Sequence, residues 1–230
     1  MTGAERSQVM LASCSEPLKM KSQRMNTVYF ITHPDVVIDP ATPVAQWPLS
    51  QRGRMRMLNM LEHQWISRVG AIYCSTEQKA MDGAAIISEV LGIPYTTIPE
   101  LGENDRSATG YLSEPEFDAV VDEFFRRPEE SVRGWERAVD AQRRIIAGTK
   151  AVLRAKPVDG DVAIVAHGGT GTLLLCHLAG VPISRDWDQP RTNGGNYFAF
   201  DLMTFRLLHG WRSIDTQHVT SYQKREDRTK

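Results

Sequence analysis

Two short apolar runs constrain this chain more than any other feature, because each stops at a histidine. Val28-Tyr29-Phe30-Ile31-Thr32 leads into His33 and Pro34, and Val162-Ala163-Ile164-Val165-Ala166 leads into His167, Gly168 and Gly169. Such runs, short and rich in β-branched and aromatic residues, read as buried strands. A histidine at the C-terminal end of a strand lies where α/β folds gather their chemistry. Two strands ending this way can set two imidazoles side by side at one sheet edge. That pairing suits group transfer, with one ring as nucleophile and the other as charge stabiliser.

The residues between the runs alternate in period. Pro34 to Pro48 reads as a loop. Ser50 is placed to cap a helix whose apolar positions are Met57, Leu58, Leu61, Trp65 and Val69, closed by Gly70. Ala71 to Cys74 reads as a strand. Ser75 or Thr76 can cap the next helix, with Ala80, Ala84, Ile87 and Leu91 inward and Gly92 as the stop. Tyr95 to Ile98 is a further strand. This β-α-β-α-β order predicts a parallel sheet covered by helices. A polar stretch with a short helix from Pro115 to Phe125 then interrupts it, reading as a cap inserted at about residues 104–134. A long helix from Trp135 to Arg154 follows, then the His167 strand, a helix from Thr170 to Ala179, and two strands between Tyr197 and Trp211. The expected fold is α/β in three layers, with a mostly parallel central sheet, helices on both faces and a small helical cap. The domain is expected over residues 26–215, between a disordered tail at 1–25 and a polar tail at 216–230.

The charge balance narrows the function classes. A net charge of −1 over 230 residues carries no basic excess for nucleic acid. No apolar run is long enough to span a bilayer. Cys14, Cys74 and Cys176 show no metal-ligand spacing and read as free thiols in a reducing compartment, so a cytoplasmic location is expected. Leu11-Ala12-Ser13-Cys14 looks like a lipoprotein cleavage site, but Glu5, Arg6, Ser7 and Gln8 leave no apolar core before it, and a signal peptide is not expected.

Five elements in order resemble the histidine phosphatase superfamily, the phosphoglycerate-mutase-like fold, from about Val28 to Trp211. The strand ending in His33 stands where the family has Arg-His-Gly. Pro48-Leu49-Ser50-Gln51-Arg52-Gly53 is similar to its Pro-Leu-Thr-x-x-Gly helix start. Tyr73-Cys74-Ser75-Thr76-Glu77-Gln78-Lys79-Ala80 is similar to its Ser-Ser-x-x-x-Arg-Ala block. Leu101-Gly102-Glu103 falls at its Leu-x-Glu, and Val165-Ala166-His167-Gly168-Gly169 is close to its Val-Ser-His-Gly-Gly.

The resemblance implies a phosphatase acting on a phosphomonoester without cofactor or metal. His33 would form a phosphohistidine, His167 would donate to the transferring group, and Glu103 would serve as acid and then base. Thr32, Lys79, Arg106 and Gly168 would bind phosphate, with Gly169 adding a backbone donor at the helix start. Glu100 and Asp105 are acidic rivals of Glu103. Arg52 and Arg54 are weaker candidates beside Arg106, which reads equally as an exposed loop arginine.

The chain also departs from the family pattern. Thr32 replaces an arginine, Pro34 a glycine, Lys79 a second arginine, and Asp39 aligns with an asparagine. These losses of cationic and donor groups leave an alternative: a catalytically weak or inactive relative that binds a phosphorylated or other anionic ligand. The expected partner is a small phosphorylated or anionic substrate, with no nucleic acid, no membrane, and a homodimer left open.

Overall fold

The computed structural model describes residues 26–154 and 160–215. The two tails expected at 1–25 and 216–230 lie outside the described residues, as does Cys14. The elements are β1 (Thr27–Thr32), α1 (Gln51–Met60), β2 (Val69–Cys74), α2 (Gln78–Leu91), β3 (Tyr95–Thr97), α3 (Glu114–Arg126), α4 (Ala138–Arg154), β4 (Asp161–Ala166), α5 (Gly168–Ala179), β5 (Asn196–Asp201) and β6 (Leu207–Ser213). The six strands form one sheet in the order β3-β2-β4-β1-β5-β6. The first four run parallel; β5 is antiparallel to β1 and β6 to β5.

Both faces of the central strands are covered, which is why residues 28–31 of β1 and 162–166 of β4 are apolar at every position instead of alternating with polar residues. On one face, Tyr29, Ile31, Ala163 and Val165 meet Met57 and Met60 of α1 and Ala80, Ala84 and Ile87 of α2. On the other, Val28, Phe30, Val162 and Ile164 meet Ile145 and Val152 of α4 and Leu174 and Leu175 of α5. A third cluster seats the inserted α3 on the body, through Val120, Phe124 and Phe125 against Trp135, Ala138, Ala141 and Leu173.

The register positions the site. Val28 pairs with Val162 and Thr32 with Ala166, so β1 and β4 end level with each other. His33 N donates to Ala166 O at 3.1 Å, and Ser75 N, just past β2, donates to Val165 O at 3.1 Å. Three strand ends therefore deliver His33, His167 and Ser75 to one edge.

Several boundaries differ from expectation. Ser50 caps α1, accepting from Gly53 N at 3.1 Å, but the helix stops at Met60 and Val69 belongs to β2. The buried stripe of α1 is Met57 and Met60, three residues apart, while Leu58, one step round the helix, is 43% exposed. Helix α2 starts at Gln78 with Glu77 at its cap, and Ser75 Oγ accepts from Glu77 N at 3.2 Å. Helix α4 starts at Ala138 instead of Trp135, and α5 at Gly168 instead of Thr170.

Candidate active site

His33 lies at the end of β1, partly buried, on the wall of a cleft of about 380 Å³. Its Nδ1 is 3.0 Å from Pro34 O. A carbonyl can only accept, so Nδ1 carries the proton and Nε2 keeps its lone pair. Pro34 thus supplies the atom that orients the ring. Burial, and then the nearby charge of Lys79, push the His33 pKa down from 6.5 to about 4.

His167 is fully buried behind it, with ring centroids 5.2 Å apart in an edge-on arrangement. Its Nε2 is 2.7 Å from Ser75 Oγ and 3.4 Å from Glu77 Oε1. Nδ1 has no hydrogen-bond partner among the described residues. Burial lowers its pKa to about 4 as well, against the opposing pull of Glu77 and Glu103. Both imidazoles are therefore neutral at neutral pH.

Glu77 holds the centre of this arrangement. Its Oε2 is 2.5 Å from Lys79 Nζ and its Oε1 accepts Glu103 N at 2.8 Å. Burial alone would raise its pKa, but the neighbouring His167 ring, the charge of Lys79 and these hydrogen bonds hold the carboxyl well below the usual carboxylate range. Lys79 is 2% exposed, and its ammonium also donates to Val44 O at 2.8 Å. The lysine expected to clamp phosphate is thus engaged by an internal carboxylate. Neither Glu77 nor Ser75 was expected in the site. Both stand in the block at residues 73–80, where Glu77 falls on a position the family motif leaves open.

Glu103 closes the other side. Its Oε2 accepts Gly169 N at 3.0 Å, and its Oε1 accepts Thr170 N at 2.9 Å and Asn104 N at 3.1 Å. The first amides of α5 point at this carboxylate, a favourable place for negative charge. Space here is tight: a Cβ on Gly169 would lie 2.8 Å from Glu103 Oε1, and one on Gly168 would lie 2.1 Å from Gln189 Nε2, so either would displace the end of that side chain. Gly168 and Gly169 line the cleft, but the Gly169 N–H expected to serve phosphate is already engaged.

The remaining candidates divide. Arg106 lines the cleft, its guanidinium 4.9 Å over the Phe117 ring, and makes no ion pair among the described residues. Thr32 is not on the cleft wall. It is fully buried, and its hydroxyl lies 2.8 Å from Gln189 Oε1 and accepts Asn196 N at 3.0 Å, so its expected phosphate contact is corrected to a structural tie between β1 and β5. Asp39 turns away, accepting from Ala41 N and Thr42 Oγ1 in an exposed turn. Arg54 pairs with Asp82 at 2.9 Å and Arg52 with Asp35 at 3.6 Å, both away from the cleft. Arg56, absent from the sequence reading, is buried and spans Asp35, Asp215 and the carbonyls of Thr192 and Gly194. Cys74 and Cys176 are buried free thiols, and burial pushes Cys74 up to about 12. Among the described residues no group of three or more His, Cys, Asp or Glu side chains could hold a metal, and no helix is long and apolar enough to cross a membrane.

The fold has counterparts among solved structures. Mycobacterial glucosyl-3-phosphoglycerate phosphatase is 19% identical with a TM-score of 0.65, covering 81% of this chain and 96% of its own. Bacillus stearothermophilus YhfR is 21% identical with a TM-score of 0.67, covering 84% and 98%. The α-ribazole phosphatase of Shigella flexneri is 18% identical with a TM-score of 0.58, covering 83% and 96%. No curated protein matches the chain. The sequence profile of the histidine phosphatase superfamily, branch 1, matches residues 43–197, most of the chain, though the matched segment begins after His33. The chain belongs to the histidine phosphatase superfamily.

Proposed function

We propose that this protein is a phosphomonoester hydrolase working through a phosphohistidine at His33. One observation carries the reading: the Nδ1–H of His33 is tied to Pro34 O, which leaves an unprotonated Nε2 on the cleft wall. Nε2 attacks phosphorus in line with the ester oxygen, and the P–N bond forms as the P–O bond breaks. The leaving oxygen takes a proton from Glu103, which shares the cleft. Water then attacks the phosphohistidine and returns a proton to Glu103, releasing inorganic phosphate. His167, edge-on to the His33 ring, would donate to the transferring phosphoryl group. Gly168 and Arg106 line the cleft, Arg106 supplying its cationic charge, while Lys79 is buried against Glu77 and off the cleft wall. The substrate is a small phosphorylated molecule, and the buried thiols Cys74 and Cys176 support a reducing, cytoplasmic setting.

The Glu77–Lys79 pair favours a second reading, a relative that binds an anion and turns over little or nothing. Phosphate release from an aryl phosphate and a panel of phosphorylated metabolites, followed from acidic to neutral pH, separates the two. The hydrolase reading expects release from the wild type and none from His33→Ala. No release from either protein refutes it and leaves the binding reading.

A further inference from the structure

The cleft over His33 adjoins a second, more apolar groove of about 360 Å³. The two share Arg106, Glu114, Phe117 and Asn193. The groove adds Ile38, Val44 and Trp47 from the loop after β1, and Tyr111 and Leu112 from the segment before α3. Ile38 is 58% exposed and Tyr111 is 43% exposed. Apolar side chains left in water singly are ordinary, but here two separate loops bring theirs together beside a catalytic cleft. The Trp47 and Tyr111 rings stand 5.9 Å apart, tilted by 56°. Trp47 is fixed in place, since its Nε1 donates to Asp39 O at 2.9 Å, with Thr42 O at 3.0 Å. The groove is therefore formed before any ligand arrives, which lowers the ordering cost of binding.

The polar groups are unevenly placed. Arg106 stands at the junction, able to meet a phosphoryl oxygen from one side while its face covers Phe117. Glu114 and Asn193 share the junction with Arg106, and beyond them the walls offer mostly ring faces and alkyl groups, where a polyhydroxylated leaving group would lose water and gain few partners.

We propose that the substrate is the phosphomonoester of an aromatic alcohol, its phosphoryl group at His33 and its ring in the groove formed by Ile38, Trp47, Tyr111 and Phe117. The proposal rests on His33 being the phosphoryl acceptor, and its test is chosen to separate the two. The probes are (1-naphthylmethyl)phosphonate, octylphosphonate and methylphosphonate, titrated calorimetrically into the full chain. A phosphonate has no ester oxygen to lose, so the result does not depend on turnover.

The wild type should bind the naphthyl probe at least about tenfold more tightly than methylphosphonate, the return on roughly 60 Å² of apolar area buried. Ile38→Ser and Tyr111→Ser change exposed residues, and melting curves confirm that each variant folds. Each should bring the naphthyl affinity down towards that of methylphosphonate. Equal affinities in the wild type, no binding of any probe, an unchanged preference in both variants, or tighter binding of the octyl chain each overturns the proposal. Aryl preference without His33-dependent hydrolysis of naphthyl phosphate would sink the hydrolase reading and keep the groove. His33-dependent hydrolysis of sugar phosphates with no naphthyl preference would do the reverse.

Discussion

Lys79 is an ammonium with 2% of its surface exposed, and Glu77 is its only carboxylate partner among the described residues. Removing one member of a buried ion pair strands the other, at a cost of about 3–5 kcal/mol. Glu77→Gln keeps the shape of the side chain and its bond to Glu103 N, and Lys79 retains Val44 O, so the lower end of that range applies, about 3 kcal/mol. For a chain of this size that is a fall in Tm of about 6–12 °C. Lys79→Met in the Glu77→Gln background should recover most of the loss, because no unpaired charge then remains. Urea unfolding of both single variants and the double variant at pH 7 closes the cycle. The pH dependence has a definite sign. The Glu77 carboxyl is held below its ordinary 4.5, so its contribution is complete above that value and drains away only in stronger acid. The difference between wild type and Glu77→Gln should therefore be flat from pH 6 to 8 and shrink below about pH 4. The same variant frees the ammonium, so inorganic phosphate should bind several-fold more tightly even as the fold weakens. If the single penalties simply add in the double variant, the pair is not the coupled element described and the reasoning fails.

Three other perturbations test separate parts of the structure. His167 titrates near 6.5 when unfolded and about 4 when folded, so its contribution is full above 6.5 and is lost as pH falls towards 4. That amounts to about 3 kcal/mol, read as a slope in unfolding free energy. The same shift at His33 places the acid limb of kcat/KM for an aryl phosphate near 4, and a limb near 6.5 would contradict the buried, neutral nucleophile. Gly169→Ala drives a methyl against Glu103 Oε1 and should lower kcat about tenfold to a hundredfold with little change in Tm; unchanged turnover would remove Glu103 from the chemistry. Arg56→Met removes the buried guanidinium that ties Asp35, Asp215 and the Thr192 and Gly194 carbonyls together and should cost about 3 kcal/mol by urea unfolding, whereas a loss under about 1 kcal/mol would mean the loops are held by something else.

The parts of the fold that were legible in the sequence are those set by local pattern. The twin runs ending at His33 and His167 are apolar at successive positions, which marks them as buried strands, while the level ends come from their pairing register. Ser50, Gly92 and Gly180 mark helix boundaries through capping chemistry that spans a few residues. What could not be read is set by partners far away in sequence. Thr32 reads only as the end of a strand, and its hydroxyl is fixed by Gln189 and Asn196, more than 150 residues later. Arg56 looks like any surface arginine on a helix until Asp35 and Asp215 are brought to it. Glu77 was hidden for a different reason. Motif comparison weighs the positions a family specifies, and the residue that neutralises Lys79 sits on one it does not.

The charge balance of the site follows from these placements. His33 and His167 are neutral, Lys79 is cancelled by Glu77, and Glu103 faces the start of α5. The strand-end pocket therefore offers an arriving phosphoryl group no net positive charge. Arg185 and Arg191 line the cleft but are paired with Asp118, and Arg185 also with Asp122. Arg106 lines it with no carboxylate partner among the described residues, held over Phe117 by a contact worth about 0.5–1 kcal/mol. A guanidinium restrained so weakly can turn onto an anion at small cost. On the proposed hydrolase reading, anion capture would therefore fall to Arg106 in the loop after Glu103. Arg106→Gln should then raise KM for an aryl phosphate about tenfold or more while kcat changes little, the mark of binding lost equally in ground and transition states. Arg106→Lys should recover part of it, as a point charge without the fork. If Arg106→Gln leaves KM within about twofold of the wild type, the charge must come from a paired cation, Arg185 or Arg191 parting from Asp118 or Lys79 parting from Glu77, and that ion pair becomes the element that opens on binding.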